Sequence, residues 1–341
     1  MAQEPHFCPP AGRFVLDGSM TQQAAPVVLL AAPMGPGLEA TLAARYELIG
    51  PLPTPFESSL ADLPGEVLGR VRAIVSIGSV AIGSSAIARM PALGLIGCLG
   101  SGFEGVDVLA AQRRRIAVTH GPGTNSSSVA DLAIGLMIEC VRGIPAARAR
   151  LCAGQWQGNA SARARPVRGL THRKLGIYGL GAIGKRIAVR ASALEMEIGY
   201  HNRHQRPDVD YRYFDELRAL ADWADVLVIA ARANATNRHA VNRDILTALG
   251  ADGFVINIAR GSIIDELALI EALESGAIGG AGLDVFEHEP AVPPALLASS
   301  KVALTPHIGG NTTEARQAME ALVLANLDAF FSGKALLTPI A

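Results

Sequence analysis

Short apolar runs alternate with helical or glycine-rich stretches in the first third of the chain. The runs cover residues 26–32, 73–77, 95–99 and 116–119. Apolar runs of this length, bounded by turn residues, are typical of buried strands, and strands that alternate with helices form parallel sheets with right-handed crossovers. Residues 25–120 are therefore predicted to form one small α/β unit.

A second series of apolar runs follows a break at residues 121–125, which read GPGTN. The three serines at residues 126–128 can cap a long apolar helix over residues 129–141, with further helix to residue 151. An amphipathic helix over residues 311–331 is expected to return the chain to the first unit. The later strands are predicted at residues 175–178, 197–201, 226–230, 254–258, 280–284 and 302–305.

A glycine turn, GLGAIG at residues 179–184, stands directly between a predicted strand and a helix over residues 185–194. Gly179 allows a tight turn, Gly181 lets the backbone approach a pyrophosphate, and Gly184 lets helix and strand pack closely. The helix N-terminus adds free amides and a partial positive charge. A glycine turn that binds nothing is the alternative, but the position between strand and helix favours a dinucleotide site.

These patterns predict an α/β fold with two doubly wound parallel-sheet domains, Rossmann-like or flavodoxin-like. The 341 residues also suit two domains. Residues 1–24 lack the basic start and apolar core of a secretory signal and are expected to be an extension, with Met20 as a possible alternative start. The predicted domains are a discontinuous substrate domain, residues 25–121 and 312–341, and a dinucleotide-binding Rossmann domain, residues 122–311.

The end of the second strand of the dinucleotide unit bears on the choice of cofactor. An NAD site usually has an acidic residue there, which accepts hydrogen bonds from the ribose 2′-hydroxyl. In this chain no acidic residue occurs between the end of that strand at His201 and Asp208, and Asn202, Arg203 and His204 occupy the turn. Because an arginine can pair with a 2′-phosphate and an asparagine can donate to it, NADP(H) is the predicted cofactor, with NAD(H) possible. Arg206 can add positive potential or simply be solvated.

The composition changes this picture little. With 30 basic and 31 acidic residues the formal net charge is −1, so neither a nucleic acid nor a membrane surface is an expected partner. Four cysteines, Cys8, Cys98, Cys140 and Cys152, show no metal-ligand spacing. No metal is expected, and reduced thiols in a cytoplasmic protein are the predicted state.

Four motifs resemble those of the D-isomer-specific 2-hydroxyacid dehydrogenases over about residues 26–341. Besides the glycine turn, they are NIARGSIIDE at residues 257–266, GAGLDVFEHEP at 280–290 and LTPHIGG at 304–310. The resemblance implies two similar α/β domains around a cleft, and a homodimer. The turn YHNR at residues 200–203 and the ending SGKALLTP at 332–339 look most like glyoxylate, hydroxypyruvate and hydroxyphenylpyruvate reductases. One departure, GPGTNSSSVAD at residues 121–131, is more like the phosphoglycerate dehydrogenase branch.

Three motif residues, Arg260, Glu289 and His307, each follow a predicted strand and are the candidate catalytic residues. The carboxyl ends of parallel strands meet at one edge, so these distant segments should share one crevice. Imidazole titrates near neutral pH, so His307 can donate the proton, and a neighbouring Glu289 carboxylate would favour its protonated form. Arg260 can hold the substrate carboxylate or carbonyl oxygen through its planar fork. Taken one at a time, each residue has an alternative interpretation. Arg260 could form a salt bridge at a strand end, Glu289 could be a solvated acid in a loop, and His307 could be structural.

The resemblance also implies further contacts. The backbone amides of Ser101 and Gly102, or more weakly Gly78, match a loop that binds the substrate carboxylate, although a tight turn alone explains these residues. Trp156 matches an aromatic residue that reaches a neighbouring subunit's site, and core or interface packing is the alternative. His288 matches no catalytic position. The expected substrate contacts are Gly78, Ser101, Gly102, Arg260 and His307. The expected cofactor contacts are Gly179, Leu180, Gly181, Ala182, Ile183, Gly184, Asn202, Arg203, His204, Ile258, Ala259, Arg260 and Asp284.

The predicted activity is the NADPH-dependent reduction of a 2-oxo acid, glyoxylate or hydroxypyruvate, to the D-2-hydroxy acid, with hydroxyphenylpyruvate as a larger alternative substrate. A 3-phosphoglycerate dehydrogenase is the enzyme alternative. It is disfavoured because residues 73–88 contain no Lys or Arg to pair with a phosphate, and because no regulatory domain is expected after residue 341. A non-catalytic dinucleotide sensor that binds partner proteins is the alternative from another class, but it would have lost one of Arg260, Glu289 and His307.

Overall fold

The computed structural model describes residues 25–156 and 167–340, and it contains two parallel sheets. The first sheet has five strands in the order β2-β1-β3-β4-β5, so the chain changes direction across the sheet after β2. Its strands are β1 (Val27–Leu30), β2 (Glu47–Ile49), β3 (Val71–Ile77), β4 (Leu95–Leu99) and β5 (Ala117–Thr119).

The second sheet has seven strands in the order β12-β11-β10-β9-β6-β7-β8, all parallel. Its first strand, β6, pairs with β7 on one side and β9 on the other, which is the topological switch point where open α/β sheets bind ligands. Its strands are β6 (Lys174–Tyr178), β7 (Glu197–His201), β8 (Arg212–Phe214), β9 (Val226–Ile229), β10 (Phe254–Asn257), β11 (Gly280–Leu283) and β12 (Val302–Leu304).

Helices connect the strands on both faces of the sheets. In the first unit they are α1 (Pro36–Ala43), α2 (Phe56–Ala61), α3 (Gly65–Arg70), α4 (Ser84–Ala88) and α5 (Val108–Arg113). In the second they are α6 (Ser126–Val141), α7 (Ile144–Cys152), α8 (Ala182–Ala193), α9 (Leu217–Trp223), α10 (Arg243–Leu249), α11 (Glu266–Ser275) and α12 (Pro294–Ala298), and the last helix is α13 (Thr313–Phe331). Among the described residues, none of these helices combines the length and the apolar character needed to cross a bilayer.

Two helices carry the chain between the sheets. Helix α6 packs on the second sheet, where Val129, Leu136 and Met137 join a buried apolar cluster with the strands. Helix α13 returns to the first sheet, where Val323 and Leu327 belong to the core of that unit. The Ser128 and Thr312 hydroxyls lie 2.8 Å apart, so the two crossings are joined by a hydrogen bond.

The predicted α/β class and the two parallel sheets are confirmed. The serines at residues 126–128 do not cap a helix from residue 129, because α6 already begins at Ser126 and the serines form its first turn. The further helix predicted to residue 151 is present as α7, which follows Gly143 at φ +60°. The predicted domain bounds stay predictions, and residues 1–24, with Met20, lie outside the described residues.

Asn326 fastens the C-terminal segment to the first unit. Its side chain is 2% exposed, and its Oδ1 accepts hydrogen bonds from the Leu337 and Thr338 amides at 3.0 and 3.3 Å. Its Nδ2 donates to the Leu322 carbonyl at 2.9 Å, and Thr338 Oγ1 donates to the His120 carbonyl at 2.6 Å. Asn326 therefore links α13 to the C-terminal segment, and Thr338 links that segment to the residue after β5.

We expect Asn326→Leu to lower the free energy of unfolding by roughly 2–3 kcal/mol, because it leaves two backbone amides without their acceptor. Thermal unfolding followed by circular dichroism measures the loss as a fall of several degrees in Tm. Gln317→Ala, an exposed amide on the same helix, is the matched control and should leave Tm unchanged. An unaltered Tm for Asn326→Leu would show that the two amides find other partners.

Candidate active site

The glycine turn between β6 and α8 combines tight packing with open space. Gly179 adopts φ +101°, and a Cβ there would lie 2.4 Å from the Ala231 backbone nitrogen. A Cβ at Gly184 would lie 2.3 Å from the Gly179 carbonyl oxygen, whereas one at Gly181 would meet nothing within 4 Å. Gly179 and Gly184 are thus required by the fold, and Gly181 leaves room for a ligand at the N-terminus of α8, where Ala182 and Ile183 begin the helix.

The turn after β7 is tied to the glycine turn. Asn202 Oδ1 accepts a hydrogen bond from the Leu180 amide at 2.7 Å, which leaves the Asn202 amide nitrogen as a donor. Asp208 accepts hydrogen bonds from Lys185 and Arg206, and these two contacts lower the pKa of Asp208 to about 2. Arg206 is therefore partly neutralised, while Arg203 and His204 lie exposed on the same turn.

The loops after β10 and β11 are in close backbone contact. A Cβ at Gly261 would lie 1.9 Å from the Phe286 carbonyl carbon, so only glycine fits at this contact. Asn257 shapes the loop after β10: its Oδ1 accepts from the Ala259 amide at 3.1 Å and its Nδ2 donates to the Arg260 carbonyl at 3.0 Å. These contacts place Arg260 beside the segment that leads to Glu289.

A buried carboxylate holds the loop that carries His307. Asp284 is 2% exposed and accepts hydrogen bonds from Thr305 Oγ1 at 2.7 Å and from the Ile308 and Gly309 amides at 2.8 and 2.9 Å. The His307 amide donates to the Asp284 carbonyl at 2.8 Å, and His307 adopts φ +52°. Asp284 thus fixes the histidine loop, and its expected contact with the nicotinamide stays a prediction.

His307 and Glu289 form a close pair, with His307 Nδ1 2.7 Å from Glu289 Oε2. Glu289 Oε1 also accepts from the Phe286 amide at 3.1 Å. Burial is the largest single influence and acts to raise the pKa of the Glu289 carboxyl, but the hydrogen bonds from His307 and Phe286 and the charges of His307 and Arg260 outweigh it, so its pKa is lowered. With an ionised carboxylate accepting at Nδ1, the Nε2 atom of His307 is left to exchange a proton with a substrate.

Arg260, in the loop after β10, contacts the first unit. Its Nη1 donates to the Ala259 carbonyl at 2.7 Å, and its Nη2 donates at 3.2 Å to Glu104 Oε2, in the loop after β4. A Cβ at Gly102 would lie 2.5 Å from Arg260 Nη2. A Cβ at Gly78 would lie 2.1 Å from the Gly102 carbonyl oxygen, so Gly78 is required for the packing of two loops. The loop predicted to bind the substrate carboxylate therefore adjoins Arg260.

Sequence reasoning missed two charged residues in this cleft. Glu104 follows the predicted loop of Ser101 and Gly102, and Arg232 follows β9 by three residues, so the position of each after a strand was the available signal. Arg232 Nη2 lies 3.8 Å from Glu104 Oε1. Four other residues considered in the sequence differ in exposure. Ile258 is buried and Ala259 is partly buried, whereas His288 is exposed and Trp156, after α7, is 70% exposed.

A glycine turn at the switch point of a parallel sheet, with an arginine, a glutamate and a histidine at neighbouring strand ends, defines a dinucleotide-dependent oxidoreductase. A family model described as the NAD-binding domain of D-isomer-specific 2-hydroxyacid dehydrogenases matches residues 134–309. The chain belongs to this family, which confirms the resemblance found in the sequence.

Three comparisons show how closely the chain follows its relatives. It is 38% identical to the glyoxylate/hydroxypyruvate reductase A of Arabidopsis thaliana, over 92% of this chain and 98% of the relative. It is 36% identical to the hydroxyphenylpyruvate reductase of Plectranthus scutellarioides, also over 92% and 98%. The structure of the NADPH-dependent glyoxylate/hydroxypyruvate reductase of Sinorhizobium meliloti, in complex with NADP and malonate, matches with a TM-score of 0.85 at 36% identity and covers 93% of this chain and 97% of that one.

We expect His307→Ala to lower kcat by about two to four powers of ten, because the other member of the pair, Glu289, is ionised and has no proton to deliver. Cofactor binding, measured by quenching of protein fluorescence, should survive. His288→Ala is the matched control and should keep kcat within about twofold of wild type, since the His288 side chain is exposed. A His307→Ala enzyme with near-normal kcat would assign proton donation to another residue.

We expect Glu289→Gln to lower kcat by about tenfold or more, because a neutral amide no longer stabilises positive charge on the ring that donates the proton. The pKa of Glu289 is lowered, so the wild-type carboxylate is charged through the neutral range and loses its charge only as the pH falls through that lowered pKa. The loss of kcat that accompanies this protonation in the wild type should be absent from the variant, which has no carboxylate to titrate. Initial rates at and below neutral pH measure both effects, and a variant with the wild-type kcat would separate Glu289 from proton transfer.

Proposed function

We propose that this protein reduces small 2-oxo acids, glyoxylate and hydroxypyruvate in the first place, to D-2-hydroxy acids with NADPH. The observation that carries the proposal is the Glu289–His307 pair at 2.7 Å, placed with Arg260 at the carboxyl ends of adjacent strands. The relatives named as glyoxylate/hydroxypyruvate and hydroxyphenylpyruvate reductases support this substrate class. Hydroxyphenylpyruvate is the larger candidate of the same class.

The residues present fit a dinucleotide. Gly181 faces open space at the N-terminus of α8, and Asn202 holds the Leu180 amide of the same turn. When bound, NADPH supplies the hydride for the reaction. Gly181, Ala182 and Ile183 would hold the pyrophosphate through backbone amides, while Gly179, Gly184 and the Leu180 amide bonded to Asn202 shape the turn.

The chain's own residues do the rest of the chemistry. Arg260 binds the substrate carboxylate through its planar guanidinium, which orients the carbonyl carbon toward the cofactor side of the cleft. The backbone amides of Ser101 and Gly102, in the loop that adjoins Arg260, provide further donors for that carboxylate. His307 gives the proton from Nε2 to the carbonyl oxygen as negative charge develops there, while Glu289 holds the ring at Nδ1.

The preference for NADPH rests on the turn after β7. Arg203 and His204 are exposed there, and the first carboxylate, Asp208, is occupied by Lys185 and Arg206. A 2′-phosphate would therefore meet a cation and no competing acid. The Sinorhizobium meliloti structure in complex with NADP supports the same choice.

We further propose that the protein is a cytoplasmic homodimer. Helix α7 has no buried residue, and Ile144, Leu151 and the following Trp156 are exposed apolar side chains on this segment. A second copy that covers the segment would account for them, and light scattering that gives a monomer mass would contradict the dimer. Cys98, Cys140 and Cys152 are free thiols, which supports a reducing compartment.

We expect kcat/KM to be at least tenfold higher with NADPH than with NADH, and Arg203→Ala to remove most of that preference. A charge-assisted contact of about 1.5–3 kcal/mol corresponds to roughly ten- to a hundredfold in affinity. Arg206→Ala is the matched control and should change the preference little, because Asp208 already pairs with Arg206. Both cofactors are assayed with a panel of 2-oxo acids, and equal values or a preference for NADH would reject the assignment.

A further inference from the structure

Glu104 lies between two arginines in the cleft. One carboxylate oxygen, Oε2, lies 3.2 Å from Arg260 Nη2, and the other, Oε1, lies 3.8 Å from Arg232 Nη2. Glu104 belongs to the loop after β4, whereas both arginines belong to loops of the second sheet. The three side chains therefore form one charged group that spans the two units beside the Glu289–His307 pair.

Arg232 is held in the cleft by more than its charge. Its guanidinium carbon lies 3.7 Å from the centre of the Phe103 ring, within the range of a cation–π contact. Phe103 packs edge-on against His120 at 5.1 Å between ring centres, and His120 Nδ1 lies 3.0 Å from the Ser101 carbonyl oxygen. Arg232 is thus seated on the same loop that is expected to bind the substrate.

A substrate carboxylate that binds Arg260 competes with Glu104. Glu104 accepts from Nη2, one of the two outer nitrogens that a planar guanidinium offers to a carboxylate. A substrate carboxylate that approaches the same side of the guanidinium competes with Glu104 for Nη2, and Arg232, already beside the other oxygen, can keep Glu104 when it is displaced. Arg232 allows Glu104 to leave Arg260 without becoming an unpaired anion in the cleft.

The net charge of the three side chains matches a single anion. Two guanidinium groups and one carboxylate carry one positive charge in excess, which a single substrate carboxylate neutralises. A substrate with a second carboxylate would bring it close to Glu104, where Arg232 is already paired. Like charges at such distances oppose binding.

We propose that Glu104, together with Arg232, selects 2-oxo acids with one carboxylate and discriminates against those with two. Both are specificity-determining residues, and Arg232 acts by holding Glu104. This inference rests on the proposed 2-oxo acid reductase activity and adds to it the charge of the accepted substrate.

The test uses two substrates of nearly the same size and shape that differ in charge, 2-oxoglutarate and its amide 2-oxoglutaramate. The wild-type enzyme should have a kcat/KM at least tenfold higher for the amide. Glu104→Gln should reduce this ratio by at least tenfold, because Arg232 becomes free to pair with the second carboxylate. The double variant Glu104→Gln/Arg232→Gln should lose the gained activity with 2-oxoglutarate, since both charges are then absent.

Arg232→Gln alone gives a second, independent measurement. With Arg232 removed, Glu104 has only Arg260 as a partner, so the KM for glyoxylate should rise by about tenfold or more while kcat changes less. Glu271→Gln, which breaks the exposed pair with Arg243, is the matched control and should leave the ratio and the KM unchanged.

The outcomes separate the two proposals. A wild-type enzyme that reduces none of the 2-oxo acids in the panel rejects the proposed function itself. An active enzyme that uses 2-oxoglutarate as well as the amide, or a Glu104→Gln variant with an unchanged ratio, rejects the role of Glu104. If Glu104→Gln does not fold, as judged by Tm and NADPH binding, an unchanged KM for glyoxylate in Arg232→Gln rejects the proposal.

Discussion

The candidate active site depends on the carboxylate of Asp284, which is buried at the end of β11. It accepts three hydrogen bonds from the segment after β12, from Thr305, Ile308 and Gly309. These contacts support the loop in which His307 has a left-handed backbone conformation, at φ +52°. The 2.7 Å pair with Glu289 follows from that placement. Asp284 therefore positions the proton donor through the backbone of its loop.

A second constraint acts across the cleft, where Glu104 pairs with both Arg260 and Arg232. These ion pairs are partly exposed, so each contributes little to stability. Their importance lies in position, because the cation that is proposed to bind the substrate already holds a carboxylate of the other unit. Substrate affinity, substrate charge and contact between the units are thereby coupled through one side chain.

Much of the fold could be predicted from the sequence because buried parallel strands are continuous apolar runs, and the glycine turn has a fixed spacing. The three catalytic candidates could be placed together because each follows such a strand. The short edge strand Arg212–Phe214 was missed, since three residues show no clear periodicity. Glu104 and Arg232 could not be paired, because their contact joins loops of separate units that are distant in sequence. The site was therefore predictable where it follows strand ends, and not where it depends on contacts across the cleft.

The hydrogen bond between Ser128 and Thr312 places the two connections between the sheets side by side. Because the chain passes between the two units at one place, a change in the angle between them would be absorbed by the few residues around this hydrogen bond. Probes placed on the two units away from this point would report such a change as a change in their separation.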